Sequence, residues 1–298
     1  MKIVLCISIG LVILSFLLTC LIRHLAIRHK ILDIPGERSS HEIPTPRGGG
    51  LAIIISWYLG ITLMFFLNKL DKELYFALLT GILLAAISLL DDMFSLKPFV
   101  RIIIQSITAI VSLILIGGIG PVHFMGYDIN NPFILYPLTI LGIIWFINLF
   151  NFMDGIDAYA SIETIFIAGG MFIFVRDPVL IVLMASVFGF LFWNWPKARI
   201  FMGDVGSTQL GFVLIILGIY FHNTTGFSMI FWIILSSLFW FDATLTLLRR
   251  LVKKEKLSQA HKKHAYQRIV QAGFSHSKTT YFSLFVNCFI LANVSIAF

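Results

Sequence analysis

Apolar residues occupy this chain in long blocks, and short polar segments separate one block from the next. The first block, residues 3–22, has about the 20 residues that a helix needs to cross a bilayer. Nine further blocks follow it, at residues 49–67, 74–90, 99–117, 133–151, 158–175, 179–193, 207–221, 227–247 and 279–297. Because backbone polar groups in lipid must be satisfied within a helix or a closed barrel, we expect helices. The pattern predicts an all-α, polytopic membrane bundle of about ten transmembrane helices, forming one domain over residues 1–298.

Composition agrees with a membrane protein. Hydrophobic residues make up 58% of the chain and charged residues 12%, with a mean hydropathy of +0.93, whereas soluble domains carry about 25% charged residues. Residues 3–22 are longer than the apolar core of a secretory signal and lack a cleavage site, so we interpret them as a span. The cysteines Cys6, Cys20 and Cys288 all lie in apolar blocks, which argues against a disulfide framework and a thiolate metal site.

The net charge of +7 is unevenly distributed between the two sides of the predicted bundle. Of the 22 Lys and Arg residues, four fall on the side of the termini, namely Lys2, Lys69, Lys72 and Arg176, which leaves 18 on the other side. By the positive-inside rule the basic side is cytoplasmic, and both termini are extracytoplasmic. Topology therefore explains the basic residues, and we expect no nucleic-acid partner.

Polar residues that could carry chemistry are concentrated in five cytoplasmic loops, near residues 23–48, 91–98, 152–158, 194–206 and 248–278. These loops contain five aspartates outside basic stretches: Asp91, Asp92, Asp154, Asp157 and Asp204. Carboxylates at membrane segments are costly and usually functional, although a solvated helix end is the alternative for any one of them. Clustered oxygen ligands without thiolates favour Mg²⁺, with Mn²⁺ as an alternative, and such ions bind through carboxylates and substrate phosphates.

The stretch NLFNFMDGIDAY carries amides beside carboxylates. Asn148, Asn151 and Asp154 recur every three residues and so lie along one helix face. Gly155 permits a break in the helix, and Asp157 follows in the next turn. Together these groups can donate and accept hydrogen bonds, as recognition of a polar heterocycle or sugar requires. The alternative is a hydrogen-bond ladder between helices.

Two glycine-rich stretches adjoin candidate ligands. In FMGDVGS, Asp204 lies between glycines just before a helix start, where it can hold a metal close to a phosphate. In TPRGGG, residues 45–50, Arg47 and backbone N–H groups could close over a phosphate. A flexible loop is the alternative for the second stretch.

The basic loop contains a histidine pair. In SQAHKKHAYQR, residues 258–268, His261 and His264 are three residues apart and share a face if the segment is helical, and Lys263 stands between them. The pattern is typical of an anion clamp. A zinc pair lacks a third ligand with suitable spacing, and an amphipathic helix on anionic lipid is a further alternative.

Other classes of protein are disfavoured. The chain has no G-x-x-x-x-G-K-[ST], H-E-x-x-H or G-x-S-x-G motif, so ATP-driven transport, zinc proteolysis and serine hydrolysis lack their usual residues. An ion- or proton-coupled membrane transporter is the main rival, but its acids would lie near mid-membrane, whereas these crowd one side. Glu163 and Asp242 lie deeper in their spans, and we interpret them as structural partners.

Five stretches in this order carry a family resemblance: HEIPTPRGGG, LLDD, NLFNFMDGID, RIFMGDVGS and the histidine loop, from residue 41 to about 268. The chain resembles the polyprenyl-phosphate N-acetylhexosamine-1-phosphate transferases, which include the lipid I translocase and the enzymes that start O-antigen and related glycans. It departs from many members at Ala158, where they have glycine, and at HKKH, where they have a denser histidine motif. The translocase signature in that loop is missing, which favours an O-antigen-type initiator, and the loop looks most like the subgroup that uses N-acetyl-fucosamine- or quinovosamine-type donors.

The resemblance implies an activity and a site. The activity is Mg²⁺-dependent transfer of an N-acetylated amino-sugar-1-phosphate from a UDP-sugar to undecaprenyl phosphate, with release of UMP, at the cytoplasmic face of the bacterial inner membrane. The resemblance assigns Asp204 to the metal and places the acidic pair and the histidines in catalysis, with donor contacts elsewhere. The residues with implied roles are Asp91, Asp92, His261 and His264 for catalysis, and Asn151, Asp154, Asp157, Asn194, Phe201, Arg47 and Lys263 for substrate binding. The identity of the donor sugar and the oligomeric state, a homodimer included, are left open.

Overall fold

The structure is a computed structural model that describes residues 2–35, 43–94, 96–124, 126–256 and 261–297. It is 75% helical with almost no sheet. The helices are α1 (Lys2–Arg28), α2 (Gly50–Phe66), α3 (Lys72–Leu79), α4 (Gly81–Phe94), α5 (Pro98–Leu115), α6 (Pro132–Met153), α7 (Tyr159–Val175), α8 (Pro178–Asn194), α9 (Asp204–Thr225), α10 (Met229–Leu235), α11 (Ser237–Val252), α12 (Ala265–Gln271) and α13 (His276–Ala297). Two antiparallel hairpins are also present: β1 (Leu32–Asp33) with β2 (Thr45–Pro46), and β3 (Val122–Phe124) with β4 (Tyr127–Ile129).

Each of the ten apolar blocks folds as helix, which confirms the all-α prediction. Within the described residues, five helical segments are long and apolar enough to cross a membrane, and the pair α10–α11 makes a sixth if it forms one span. The helices α2, α7 and α8 are apolar but have only 17 residues each. The protein is therefore a multi-pass membrane protein. The count of ten spans and the side of the termini remain predictions.

The block at 227–247 is broken, which the hydropathy pattern did not indicate. Helices α10 and α11 meet at an angle of 74° around Ser236. Two side chains satisfy carbonyls near the break: the Ser236 hydroxyl donates to the Trp232 carbonyl at 2.9 Å, and Trp240 Nε1 donates to the Ile233 carbonyl at 2.8 Å. A break at membrane depth is tolerated where freed backbone groups regain partners in this way.

The hub of the bundle is α9, which packs against α2, α3, α4, α6, α7 and α10. In its most apolar window 94% of the residues are buried. A helix surrounded on all sides has little freedom to shift, so its first residue, Asp204, occupies a fixed position at the centre of one end of the bundle. The last residues of α4, α6 and α8 and the first residues of α2 and α13 lie at the same end, around a shared pocket.

Candidate active site

A polar cavity of about 270 Å³ lies at this end of the bundle. Its lining includes eight of the twelve residues to which the sequence analysis gave a role: Arg47, Asp92, Asn151, Asp154, Asp157, Asn194, Phe201 and Asp204. The other lining residues are Asp33, Gly155, Ile156, Met202, Gly203, Gln267 and His276. Loops that are far apart in the sequence therefore meet in one acidic pocket.

The glycine-rich loop at 45–50 is built into the wall of this pocket. The Gly49 N–H donates to the Phe201 carbonyl and the Gly50 N–H to the Met202 carbonyl, both at 2.9 Å. The prediction that backbone N–H groups here close over a phosphate is wrong for these two, because both already have partners. Residues 41–42, at the start of the HEIPTPRGGG stretch, lie outside the described residues.

Glycines in this wall allow two helices to touch through their backbones. A Cβ on Gly50 would lie 2.4 Å from the Gly206 Cα and 2.9 Å from the Met202 carbonyl oxygen. Contacts this short do not occur between real Cβ atoms and backbone, so α2 and α9 can meet only at glycine. This contact sets the position of Arg47 relative to Asp204.

The two adjacent aspartates have different surroundings. Asp91 accepts from the Leu96 N–H at 2.7 Å and pairs with Arg101 Nη1 at 2.6 Å. Asp92 instead lines the pocket, and its Oδ1 lies 3.5 Å from Arg47 Nη1. Arg101 Nη1 is also 3.8 Å from Asp204 Oδ2, so one guanidinium lies between two carboxylates. Asp91 thus fixes the turn after α4, and Asp92 faces the space where a ligand can bind.

The two amide residues of α6 also differ in their surroundings: Asn148 contacts a neighbouring helix, and Asn151 lines the pocket. Asn148 exchanges two hydrogen bonds with Gln105 on α5, at 2.7 and 3.3 Å, which is the interhelical ladder considered as the alternative. Asn151 lies one turn later, where its Oδ1 accepts from the Ser207 hydroxyl at 2.7 Å, and it lines the pocket. Burial, with the negative charges of Asp204 and Asp157, raises the pKa of the Asp154 carboxyl well above its usual range.

The turn after α6 is held in place by Tyr266 on α12 and by Asn194 at the end of α8. Tyr266 donates to the Phe152 carbonyl at 3.0 Å, and its ring fills the space beside Gly155, where a Cβ would lie 2.0 Å from the hydroxyl. Ala158 has a left-handed backbone with φ of +63°, and its N–H donates to Asn194 Oδ1 at 3.0 Å. That conformation suits the glycine that the family resemblance implies at this position, and here alanine adopts it instead.

The two histidines of the basic loop lie outside the acidic pocket, although Gln267 of the same stretch lines it. His264 is buried, with Nδ1 3.7 Å from Asp242 Oδ1, and precedes α12. Lys263 Nζ pairs with Glu255 at 2.6 Å and lines a separate basic cavity of about 250 Å³. The rings of His261 and His264 are 4.9 Å apart, although the helix begins only at residue 265. Neither histidine lines the acidic pocket, so the anion clamp and the catalytic role expected for His261 and His264 remain predictions. Residues 258–260 of the motif lie outside the described part of the chain.

His261 also lacks the positive charge that a cationic clamp for anions would need. Burial, then the neighbouring His264 and the charges of Arg250 and Lys263, lower the pKa of His261 to about 4. His261 is therefore neutral near pH 7 and can offer a hydrogen bond but no positive charge.

Three polar side chains of the pocket were missed by the sequence analysis. Asp33 reaches the pocket on β1, a two-residue strand too short to produce a periodic signal. Gln267 lies on α12, and His276 begins α13. His276 had a sequence signal, since it is followed at helical spacing by polar residues in an apolar block.

Asp242 and Glu163, interpreted as structural, contact α12 and α13 respectively: Asp242 accepts from the Ala265 N–H at 2.8 Å, and Glu163 from Asn287.

The acidic pocket offers oxygen ligands to a divalent cation. No group of three His, Cys, Asp or Glu side chains within the described residues is close enough to form a complete metal site. Mg²⁺, however, needs only one or two carboxylates when phosphates and water complete its shell. Asp92 and Asp204 supply such oxygens and lie close together. Asp92 Oδ2 is 4.0 Å from the position that a Cβ would take on Gly203, the residue directly before Asp204. The donor set fits a hard cation that binds together with a phosphate ligand.

The fold and the pocket define a polytopic helical membrane protein with an acidic, amide-lined site at one end of its bundle. A profile described as glycosyl transferase family 4 matches residues 74–222. The chain belongs to this family, that of the polyprenyl-phosphate N-acetylhexosamine-1-phosphate transferases.

Several relatives support this assignment. The chain is 32% identical to a probable undecaprenyl-phosphate N-acetylglucosaminyl 1-phosphate transferase of Bacillus subtilis, over 87% of this chain and 75% of that protein. It is 29% identical to an undecaprenyl-phosphate alpha-N-acetylglucosaminyl 1-phosphate transferase of Thermotoga maritima, over 85% and 78%. A protein of the same name from Salmonella typhi is 26% identical over 93% and 78%. The transporter alternative receives no support from these relatives.

Proposed function

We propose that the protein transfers an N-acetylated amino-sugar-1-phosphate from a UDP-sugar to undecaprenyl or a similar polyprenyl phosphate, and releases UMP. The observation that carries this proposal is the meeting of Asp92, Asn151, Asp154, Asp157 and Asp204 in one pocket. The names of the relatives make UDP-N-acetylglucosamine the first donor to test. The role in O-antigen synthesis and the N-acetyl-fucosamine or quinovosamine alternatives belong to the same proposal.

In the proposed reaction, an oxygen of the acceptor phosphate attacks the β-phosphorus of the donor. The bond between that phosphorus and the bridging oxygen breaks, UMP leaves with the oxygen, and the sugar C1–O bond stays intact. The second pKa of a phosphate monoester is about 6, so most of the acceptor is already ionised at neutral pH and needs little help from a base. The barrier arises mainly from repulsion between anions, which positive charge relieves.

The residues of the pocket have distinct tasks in this scheme. Asp92 and Asp204 would hold Mg²⁺, which when bound would supply positive charge that screens the repulsion between the phosphates. Arg47 is 40% exposed in its side chain and lies next to Asp92, so it can turn toward a substrate phosphate. Asn151, Asp157 and Asn194 would bind the nucleoside, since amide and carboxylate groups match its hydrogen-bonding edges.

An apolar groove supports a lipid acceptor. A cavity of about 490 Å³ lies between the β3–β4 hairpin, α6, α9 and α10, and its lining is almost entirely apolar. On α6 the groove extends to Leu149, five residues before Asp154, which is about 7 Å along a helix. An isoprenoid chain in this groove would bring its phosphate close to the acidic pocket.

The proposal includes a topology. Helices α2, α7, α8 and α13 would complete ten spans, with the acidic pocket on the cytoplasmic face of the bacterial inner membrane and both termini outside. The positive-inside rule supports it. Alkaline phosphatase fused after the last residue should be active and a fused cytoplasmic fluorescent protein dark, and the opposite pair of results contradicts this orientation.

The reaction is tested with membranes from an expressing host, undecaprenyl phosphate, Mg²⁺ and a panel of UDP-amino sugars. We expect lipid-linked sugar and UMP in equal amounts, and loss of both with EDTA. Asp204→Asn should abolish the product, while Asp128→Asn, on the β3–β4 hairpin outside the pocket, should not. Absence of product with every donor would sink the proposal. Release of UMP before acceptor is added would instead support a covalent aspartyl-phosphate route.

A further inference from the structure

The acidic pocket contains a histidine that lies outside the histidine motif. His276, the first residue of α13, lines the pocket together with Asp157. Its Nδ1 lies 3.2 Å from Asp157 Oδ2 and 3.4 Å from the Asp157 backbone nitrogen. If Nδ1 carries the proton it donates to the carboxylate, and if it does not it accepts from the N–H. The ring therefore holds Asp157 in either tautomer.

Asp157 is held from other directions as well. Its Oδ2 accepts from the Ala198 N–H at 3.1 Å, and its carbonyl accepts from the Thr280 hydroxyl at 3.3 Å. The side chains of Asp157 and His276 are only 10% and 16% exposed. With its carboxylate held by His276 and the Ala198 N–H and its backbone by Thr280, Asp157 presents a defined direction to a ligand, with little entropy left to lose on binding.

A polar stripe on α13 places His276 next to this turn. Thr280 follows at i+4, Ser283 at i+7 and Asn287 at i+11, so all lie on one face of the helix. Each contacts a partner on or before α7: Thr280 the carbonyl of Asp157, Ser283 the Tyr159 hydroxyl at 3.4 Å, and Asn287 the carboxylate of Glu163. Polar side chains of this kind fix one helix against another in a membrane. The last helix is thereby set in register with the Asp157 turn.

We propose that His276 is a positioning residue: it supports donor binding by holding Asp157 in place. The polar stripe of α13 in turn holds His276 next to Asp157. The inference rests on the proposed function in one respect, namely that Asp157 contacts the UDP-sugar. It gives the acidic pocket a histidine that the motif HKKH does not supply, since His261 and His264 line neither this pocket nor the basic cavity.

Two substitutions separate this role from a structural one. His276→Ala removes the ring and frees Asp157, whereas His276→Asn places an amide where Nδ1 was and can keep one hydrogen bond to Asp157. The matched control is His123→Ala, because His123 also pairs with an aspartate, Asp128, and neither residue lines the acidic pocket or the apolar groove. Thr280→Val, nearly isosteric, removes one contact to the same residue and serves if His276→Ala fails to fold.

The measurements are the KM for UDP-sugar, the KM for undecaprenyl phosphate, kcat, and the Kd of UDP for each purified variant. We expect His276→Ala to raise the donor KM and the UDP Kd about tenfold, equivalent to about 1.4 kcal/mol, with the acceptor KM and kcat changed far less. His276→Asn should recover most of the loss, Thr280→Val should show a smaller one, and His123→Ala should match the wild type.

Three results would overturn the inference: wild-type donor KM and UDP Kd in His276→Ala, an equal defect in His276→Asn and His276→Ala, or equal rises in donor and acceptor KM. Failure of the proposed function looks different. If the wild type binds UDP but transfers no sugar, the reaction is wrong, and the UDP Kd values of the variants still decide the role of His276. If the wild type does not bind UDP, both are wrong.

Discussion

Replacing Gly50 by alanine tests the link between packing and the acidic pocket most directly. The new Cβ would lie 2.4 Å from the Gly206 Cα, 2.6 Å from the Gly206 nitrogen and 2.9 Å from the Met202 carbonyl oxygen. All three atoms belong to the backbone, so no side chain can rotate away. Ordinary contact begins at 3.4 Å, and the starts of α2 and α9 must therefore separate by about 1 Å.

That displacement acts on stability and on activity. Overpacking of this kind costs about 1–3 kcal/mol, which should lower the melting temperature. Arg47 and Asp204 lie three and two residues from the clashing glycines, so the separation shifts the ligand groups against each other. A misplacement of about 1 Å can cost about a hundredfold in rate. We therefore expect Gly50→Ala to lose far more turnover than its stability change alone would explain.

The assay measures UMP release and lipid-linked sugar beside a melting curve for each purified variant. Gly10→Ala on α1 is the control, because a Cβ there meets nothing within 4 Å. A Cβ on Gly206 would lie 2.8 Å from the Gly50 Cα and 2.3 Å from the Met202 Cγ, so Gly206→Ala adds a side-chain clash to the same backbone contact. The double variant should be less impaired than the two single losses added together, because one displacement of α2 from α9 relieves the backbone clash that both variants share. Wild-type turnover in Gly50→Ala would refute the reasoning.

Other substitutions test single residues of the pocket. Asp91→Asn should lower the melting temperature and leave the Mg²⁺ dependence of the rate unchanged, whereas Asp92→Asn should raise the Mg²⁺ concentration needed for half-maximal rate; equal Mg²⁺ dependence would contradict this division. Ala158→Gly should change stability by less than about 1 kcal/mol, because relief of the left-handed strain offsets the added chain entropy and the lost methyl group. Asp154→Asn should remove activity but raise the melting temperature. The raised folded-state pKa of Asp154 means that ionisation costs stability as pH rises, so this gain should grow with pH from about 4 upward; a gain that shrinks with pH would contradict it.

The sequence predicted the helices well because an apolar block in lipid has few alternatives. It predicted the acidic pocket because the motifs carry residue types that oxygen-based sites require, and eight of those residues meet. The prediction that the backbone N–H groups of Gly49 and Gly50 bind a phosphate was wrong. A run of glycines can serve either backbone freedom or close packing, and the sequence alone does not distinguish the two. Here it needs contact with α9, which only the packing reveals.

The histidines illustrate a second limit. The sequence motif favoured His261 and His264 as the histidines of the site. In the structure His264, just before α12, lies next to Asp242, whereas His276, at the start of α13, lies next to Asp157 in the pocket. Which histidine reaches the site depends on how two helices turn after the basic loop. Spacing within HKKH contains no information on that turn, whereas the polar stripe of α13 did contain a signal.

The adjacent pair Asp91 and Asp92 shows how charge is balanced in this pocket. Asp91 pairs with Arg101 and Asp92 with Arg47, while none of the ion pairs among the described residues includes Asp154. Among the described residues, Asp204 forms an ion pair only with Arg101, at 3.8 Å, and its charge contributes to the raised pKa of Asp154. Asp91, which fixes the turn after α4, thus has a close cation, whereas Asp154 and Asp204, whose charges are compensated least, face the cavity. A divalent cation bound beside Asp204 would relieve this repulsion, so we expect Mg²⁺ and the diphosphate to bind more tightly together than either does alone.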